Sequence, residues 1–161
     1  MNCVKKSRDR RIEKIPSSGQ TLHGFLLALL LLSGWTSNAV SQEPLRIPLY
    51  IKQTEIWVEV AKTPEQRTVG LMGRDYLGKN DGMLFIFETE DFHNFWMKNT
   101  RVPLSIAFID REGKIVRIAD MKPLTLDSHA PLQRILYALE MNRGWFSAHG
   151  IKVGDTVRFS K

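Results

Sequence analysis

The chain has 161 residues, 23 Lys and Arg against 17 Asp and Glu, and a single cysteine. That length is one domain by the usual size range, and one thiol excludes a disulfide framework and a cysteine metal cluster. The basic excess sits at the start: residues 1–39 hold six Lys/Arg and two Asp/Glu, whereas residues 40–161 hold 17 and 15, an ordinary surface balance that gives no nucleic-acid footprint.

Residues 1–39 read as a cleaved secretory signal peptide. Lys5, Lys6, Arg8, Arg10, Arg11 and Lys14 form a positive leader, Leu22 to Leu32 an apolar run, and Ser37-Asn38-Ala39 a small-residue cleavage site. The run is shorter than the roughly 20 residues a bilayer requires, so the expected mature chain, residues 40–161, does not span a membrane. It is expected to be exported, to the periplasm where the host has an outer membrane and otherwise outside the cell. Cys3 leaves with the leader.

Along the mature chain, Leu45, Ile47, Leu49 and Ile51 alternate with Arg46, Pro48 and Tyr50, which predicts an edge strand because Pro48 lacks a donor. Ile56, Val58 and Val60 alternate as a second strand. Thr63-Pro64-Glu65-Gln66 has the cap, first-turn proline and capping-box glutamine of a helix start, and the helix is expected to reach Leu71-Met72 with Val69 and Met72 inward. After the turn cluster 78–82 comes a short apolar strand, Met83 to Phe87. Phe95 to Thr100 and Leu104 to Asp110 are the next predicted strands, and Arg111-Glu112-Gly113-Lys114 a hairpin turn into Ile115–Ala119. Residues 122–134 lack periodicity and read as a long loop. A strand Ile135–Met141, a helical turn 144–149 ending at Gly150 and a terminal apolar segment around Gly154-Asp155 complete the pattern. Short strands with frequent turns predict a mainly β fold, a jelly-roll-like β-sandwich or barrel with one or two short helices, as a single domain over residues 40–161.

Several ordered motifs carry a family likeness. Thr63-Pro64 with Arg67 precedes Gly70-Leu71-Met72 and Arg74, and Gly82-Met83-Leu84-Phe85 precedes Phe87. Phe95-Trp96-Met97-Lys98-Asn99-Thr100 is followed by Pro103-Leu104, then Leu139-Glu140, Gly144-Trp145 and Gly154-Asp155. Together they resemble the domain of unknown function 192 family over nearly the whole mature chain. The resemblance implies a small exported β-rich domain, similar to a jelly-roll sandwich, with no established activity. Members of that family commonly carry an aspartate after the Pro-Leu pair, where this chain has Ser105.

In a strand through Phe95–Thr100, Trp96, Lys98 and Thr100 share one face and Asn99 lies on the other. An aromatic plane beside an ammonium and a hydroxyl suits a sugar; equally, Trp96 can cap the core with Lys98 stretched over it. Arg67 and Arg74 lie two helical turns apart and can clamp an anion, or pair with Glu65, Asp75 or Glu140. Glu140, between Leu139 and Met141, is the acidic residue expected to be buried, with Arg67 as its partner. His93, His129 and His149 fall in separate segments without zinc-ligand spacing. Met72, Met83 and Met97 with His93 raise a copper alternative, for which core filling is the competing account.

These residues point to an exported non-catalytic domain that binds a carbohydrate or another envelope component through Trp96, Lys98, Asn99, Thr100, Arg67, Arg74 and Glu140, with no cofactor, metal, catalytic residue or nucleic-acid partner. The alternatives are an acid–base enzyme using Glu140 with Arg67 or Lys98, a copper-handling protein, and a patch that docks another envelope protein.

Overall fold

The computed structural model describes residues 43–159, so the expected signal peptide and Cys3 lie outside the described residues. Strands β1 (Arg46–Ile51), β2 (Thr54–Ala61), β3 (Gly82–Asp91), β4 (Leu104–Ile109), β5 (Ile115–Met121), β6 (Ile135–Asn142) and β7 (Val157–Phe159) alternate with two short helices, α1 (Pro64–Val69) and α2 (Trp145–Ala148). The strands form one seven-stranded sheet in the order β5-β4-β6-β3-β2-β1-β7. Every neighbouring pair is antiparallel except β2 and β3, which the α1 crossover joins in parallel. The sheet curls into a half-barrel, and its two ends meet where Lys114 bridges Thr156 and the backbone of Gly113–Ile115 bonds to that of Gly154–Val157. The expected mainly β fold with two short helices is therefore present, in the form of one curled sheet.

Alternation of side chains sorts the strands into two apolar faces. Leu49, Ile51, Ile56, Val58, Leu84, Ala107, Ile109, Leu139 and Met141 pack with Trp145 and Phe146 of α2 on one face. Ala61, Met83, Phe85, Leu104, Ile106, Phe108 and Ala138 pack with Leu71 and Met97 on the other. β4 is buried at all six positions, which explains a sequence apolar everywhere but at Ser105. Pro48 sits in β1 beyond the Leu49–Ile51 stretch that β7 covers, so its missing donor is not needed on that side.

α1 begins as its sequence dictates: Thr63 Oγ1 accepts from Gln66 N at 3.2 Å, and Gln66 Oε1 accepts from Thr63 N at 3.1 Å. It ends earlier than expected. Gly70 at φ 49° breaks it after Val69, leaving Val69 57% exposed, while Leu71 in the following turn is buried in Val69's stead.

The strand expected over Phe95–Thr100 is not formed. Phe95 makes a single bridge to His129, Met97 N donates to Thr125 O, and the chain turns at Asn99 with φ 54°. The long loop 122–134 supplies those partners, so the segment packs Met97 into one apolar face of the sheet without joining it. Trp96, Lys98 and Thr100 consequently do not share a face: Trp96 is 53% exposed and Thr100 only 5%.

Candidate functional site

A cavity of about 430 Å³ opens between α1 with its following turn and the segment that follows β3. Phe85 and Phe87 of β3 and Glu140 of β6 contribute from the sheet; Arg67, Thr68 and Met72 close one side, and His93, Asn94, Phe95 and Trp96 the other, with Thr100 beside them. The aromatic side is rigid. Phe95 meets Phe85 edge to face with ring centroids 5.0 Å apart, and the His93 ring stacks on Phe87 at 3.5 Å. His93 Nε2 donates to Thr89 O at 3.0 Å, which fixes the ring against that stack.

Glu140 is the chemically distinctive wall residue. On β6 it is paired laterally with Met83 on β3 and Ile106 on β4, and its side chain is 5% exposed. No group among the described residues hydrogen-bonds its carboxyl. Burial without a compensating donor pushes its pKa up from 4.5 to about 8, so it is mostly a neutral acid at pH 7.

The expected Arg67–Glu140 pair does not form. The Arg67 guanidinium donates to the backbone oxygens of Lys62 and Ile86, the latter at 3.0 Å, and lies 5.3 Å over the Phe87 ring. The carbonyl before the α1 cap, the Ile86 carbonyl of β3 and an aromatic face satisfy it instead. Arg74 also has a partner that the sequence reading did not nominate. Its two terminal nitrogens reach Glu59 Oε1 and Oε2 at 2.6 and 2.5 Å, and this pair holds the guanidinium more tightly protonated still.

Glu59 and Glu140 stand on the same cross-strand row, separated only by Met83. One carboxylate is clamped by a bidentate arginine and the other opens to the cavity.

Of the residues nominated from sequence, Arg67, Trp96, Thr100 and Glu140 line the cavity together; Lys98, Asn99 and Arg74 do not. Lys98 stays near the rim, its ammonium 5.8 Å over the Trp96 ring. Asn94 lines the cavity without having been nominated, and His93 was nominated only for copper, since no local periodicity marks a loop that folds over a strand. Of the residues behind the copper alternative, Met83 and Met97 belong to the apolar cluster, whereas Met72 and His93 face the cavity. Among the described residues no three His, Cys, Asp or Glu side chains are grouped to hold a metal ion, and no helix is long and apolar enough to cross a membrane.

Two solved structures share this architecture. A protein from Sinorhizobium meliloti 1021, provisionally described as a transcription regulator, superposes with a TM-score of 0.71 at 29% identity over 73% of this chain and 95% of that one. A protein of unknown function from Novosphingobium aromaticivorans DSM 12444 superposes with a TM-score of 0.69 at 30% identity over 74% of this chain and 89% of that one. No curated protein matches the sequence significantly. The model of DUF192, described as an uncharacterised ACR, matches residues 48–159, a span that starts inside β1 and ends with β7 and so takes in α1, the 93–100 segment and Glu140. With sheet, cavity and motifs all inside that match, the chain belongs to the DUF192 family.

Proposed function

We propose that this domain is exported and binds a small ligand, a carbohydrate or another cell-envelope component, in the cavity above Glu140. The observation that carries the reading is a half-exposed tryptophan at the rim of a cavity that Phe85, Phe87 and Phe95 also line, its wall holding separated polar groups, Arg67, Thr68, His93, Asn94, Thr100 and Glu140. Rings cover the apolar face of a sugar and isolated polar groups take its hydroxyls. A volume of about 430 Å³ suits one or two sugar rings. Titrating residues 40–161 against a glycan panel tests this: binding that Trp96→Ala abolishes supports it, and binding to no member, or binding indifferent to that change, ends it. Fractionation of cells expressing the full chain tests export separately.

Acid–base catalysis is the second reading, favoured by a neutral carboxylic acid held on a cavity wall near pH 7. It needs a second titratable group acting with Glu140. Lys98 is not in the cavity wall, Arg67 is engaged by backbone oxygens, and His93 is stacked on Phe87 with Nε2 bonded to Thr89 O, so binding without turnover fits the arrangement better. Loss of a substrate on incubation with the domain, abolished in Glu140→Gln, would reverse that preference.

A further inference from the structure

We propose that the ligand enters this cavity through an ammonium group seated against Glu140. The inference rests on the binding reading above and narrows it to ligands that carry a free amine.

Three observations converge. Glu140 is buried, on the cavity wall and without a donor among the described residues. A buried carboxyl left this way is costly, and on the same row the protein does otherwise, giving Glu59 both nitrogens of Arg74. The donor missing from the wall is therefore expected from the ligand. Next, the wall presents aromatic faces that attract cations. Arg67 over Phe87 at 5.3 Å and Lys98 over Trp96 at 5.8 Å already use two of these rings, Phe87 being stacked by His93 as well, which leaves Phe85 and Phe95 as the wall rings without a cation.

Finally, nothing in the wall competes for the carboxylate. The other titratable side chains there are Arg67 from α1 and His93 from the segment after β3, and the flanking strand neighbours are Met83 and Ile106. The upward shift of Glu140 comes from burial alone, so Arg67 leaves it uncompensated.

An ammonium supplies N–H donors and charge together. To receive it, Glu140 must give up its proton, because its carboxyl is mostly neutral at pH 7. Binding of an ammonium is thus linked to release of close to one proton at pH 7, and its affinity rises about tenfold between pH 7 and 9 before levelling. A hydroxyl or carbonyl ligand binds the neutral acid and releases none.

The test compares cyclohexylammonium with cyclohexanol, similar in shape and different in charge, by calorimetry at pH 7 in two buffers of different ionisation enthalpy. Glucosamine against N-acetylglucosamine then separates an amino sugar from a simple alkylamine as the source of the group. The expected result is an ammonium preference of at least about tenfold with release of a proton, and loss of both in Glu140→Gln.

Equal affinity for the two probes, absence of proton release, or a preference that survives in Glu140→Gln overturns the proposal. Should that variant not fold, the carboxyl carbon resonance of Glu140 in the unaltered protein decides: a move to the ionised position on adding cyclohexylammonium supports the proposal, and an unmoved resonance overturns it. If neither probe binds while amine-free sugars do, the ammonium inference fails and the binding reading stands; if nothing binds, both fail.

Discussion

Arg74, from the turn beyond α1, holds both carboxylate oxygens of Glu59 on β2 at 2.6 and 2.5 Å. Glu59 is 8% exposed, whereas the Arg74 side chain is 34% exposed, so water screens part of the pair. Removing the arginine strands a carboxylate that cannot turn to solvent without unseating β2. Arg74→Ala is expected to lower stability by about 2 kcal/mol, and Glu59→Gln in the same background to recover part of it. Urea denaturation of the two single variants and the double variant measures the coupling, and additive effects would show that the pair contributes nothing.

Glu140 gives the domain an unusual pH dependence. Its folded pKa of about 8 lies above its ordinary 4.5, so between those values the folded state holds a proton that the unfolded chain has released. The stabilisation is full below about pH 4.5 and is lost as pH rises to about 8, with a slope of roughly 1.4 kcal/mol per pH unit. Glu140→Gln removes that slope and is expected to be the more stable protein at pH 8. Thermal melts of both proteins from pH 5 to 9 check it; parallel curves would refute the assignment.

Gly82 lies opposite Met141 in the β3–β6 pairing, next to Glu140 along β6. A Cβ there would collide with the sulfur of Met141 and stand 2.5 Å from the backbone oxygen of Glu140. Because one obstacle is backbone in a central strand, relief requires β6 to shift. Gly82→Ala is expected to cost about 2–3 kcal/mol and to weaken ligand binding along with it, whereas Gly73→Ala, with open space at its Cβ but φ 75°, costs only about 1 kcal/mol and leaves binding intact. Melting temperatures and one ligand titration per variant separate the two.

Trp96 is half exposed and its stacked partner Lys98 is at the surface. Trp96→Ala is therefore expected to change stability by less than about 1 kcal/mol while reducing affinity for any cavity ligand at least about tenfold. A large loss of stability would instead make Trp96 a structural cap and remove it from the site.

The sequence announces what depends on neighbours along the chain and conceals what depends on neighbours across it. The α1 cap is written in Thr63, Pro64 and Gln66 and is present as read. The buried character of β4 follows from a run apolar at five of its six positions. Glu140 stands out because it is a charged residue between Leu139 and Met141. Its lack of a partner cannot be read the same way, since Arg67 is diverted to carbonyls contributed by Lys62 and by Ile86 of β3. Phe95–Thr100 has strand composition, but the backbone that would pair with it belongs to the loop 122–134, which offers one bridge and then turns away. Arg74–Glu59 joins residues from a turn and a strand that no spacing rule connects.

Ser105 shows how such a distant partner absorbs a departure in sequence. It lies opposite Asp120 in the β4–β5 ladder, donates from Oγ to Asp120 Oδ1 at 2.5 Å, and accepts from Gly144 N at 2.9 Å. Asp120 thus sets a carboxylate directly across the ladder from position 105, where Arg143 also approaches Oδ2 at 3.4 Å. Ser105 pairs with Met141 on β6 while its neighbour Ile106 pairs with Glu140, so it points to the sheet face opposite the cavity. Ser105→Asp would set two carboxylates at directly paired positions, one of them buried. It is expected to destabilise the domain by about 1–2 kcal/mol at pH 7. Adding Asp120→Ser should restore most of the loss, and ligand affinity should stay constant throughout the series. Chemical denaturation at pH 7 together with one binding isotherm per variant tests this. A drop in affinity with Ser105→Asp alone would mean that the two faces of the sheet are coupled through β4, and failure of Asp120→Ser to rescue would mean that the cost does not come from Asp120.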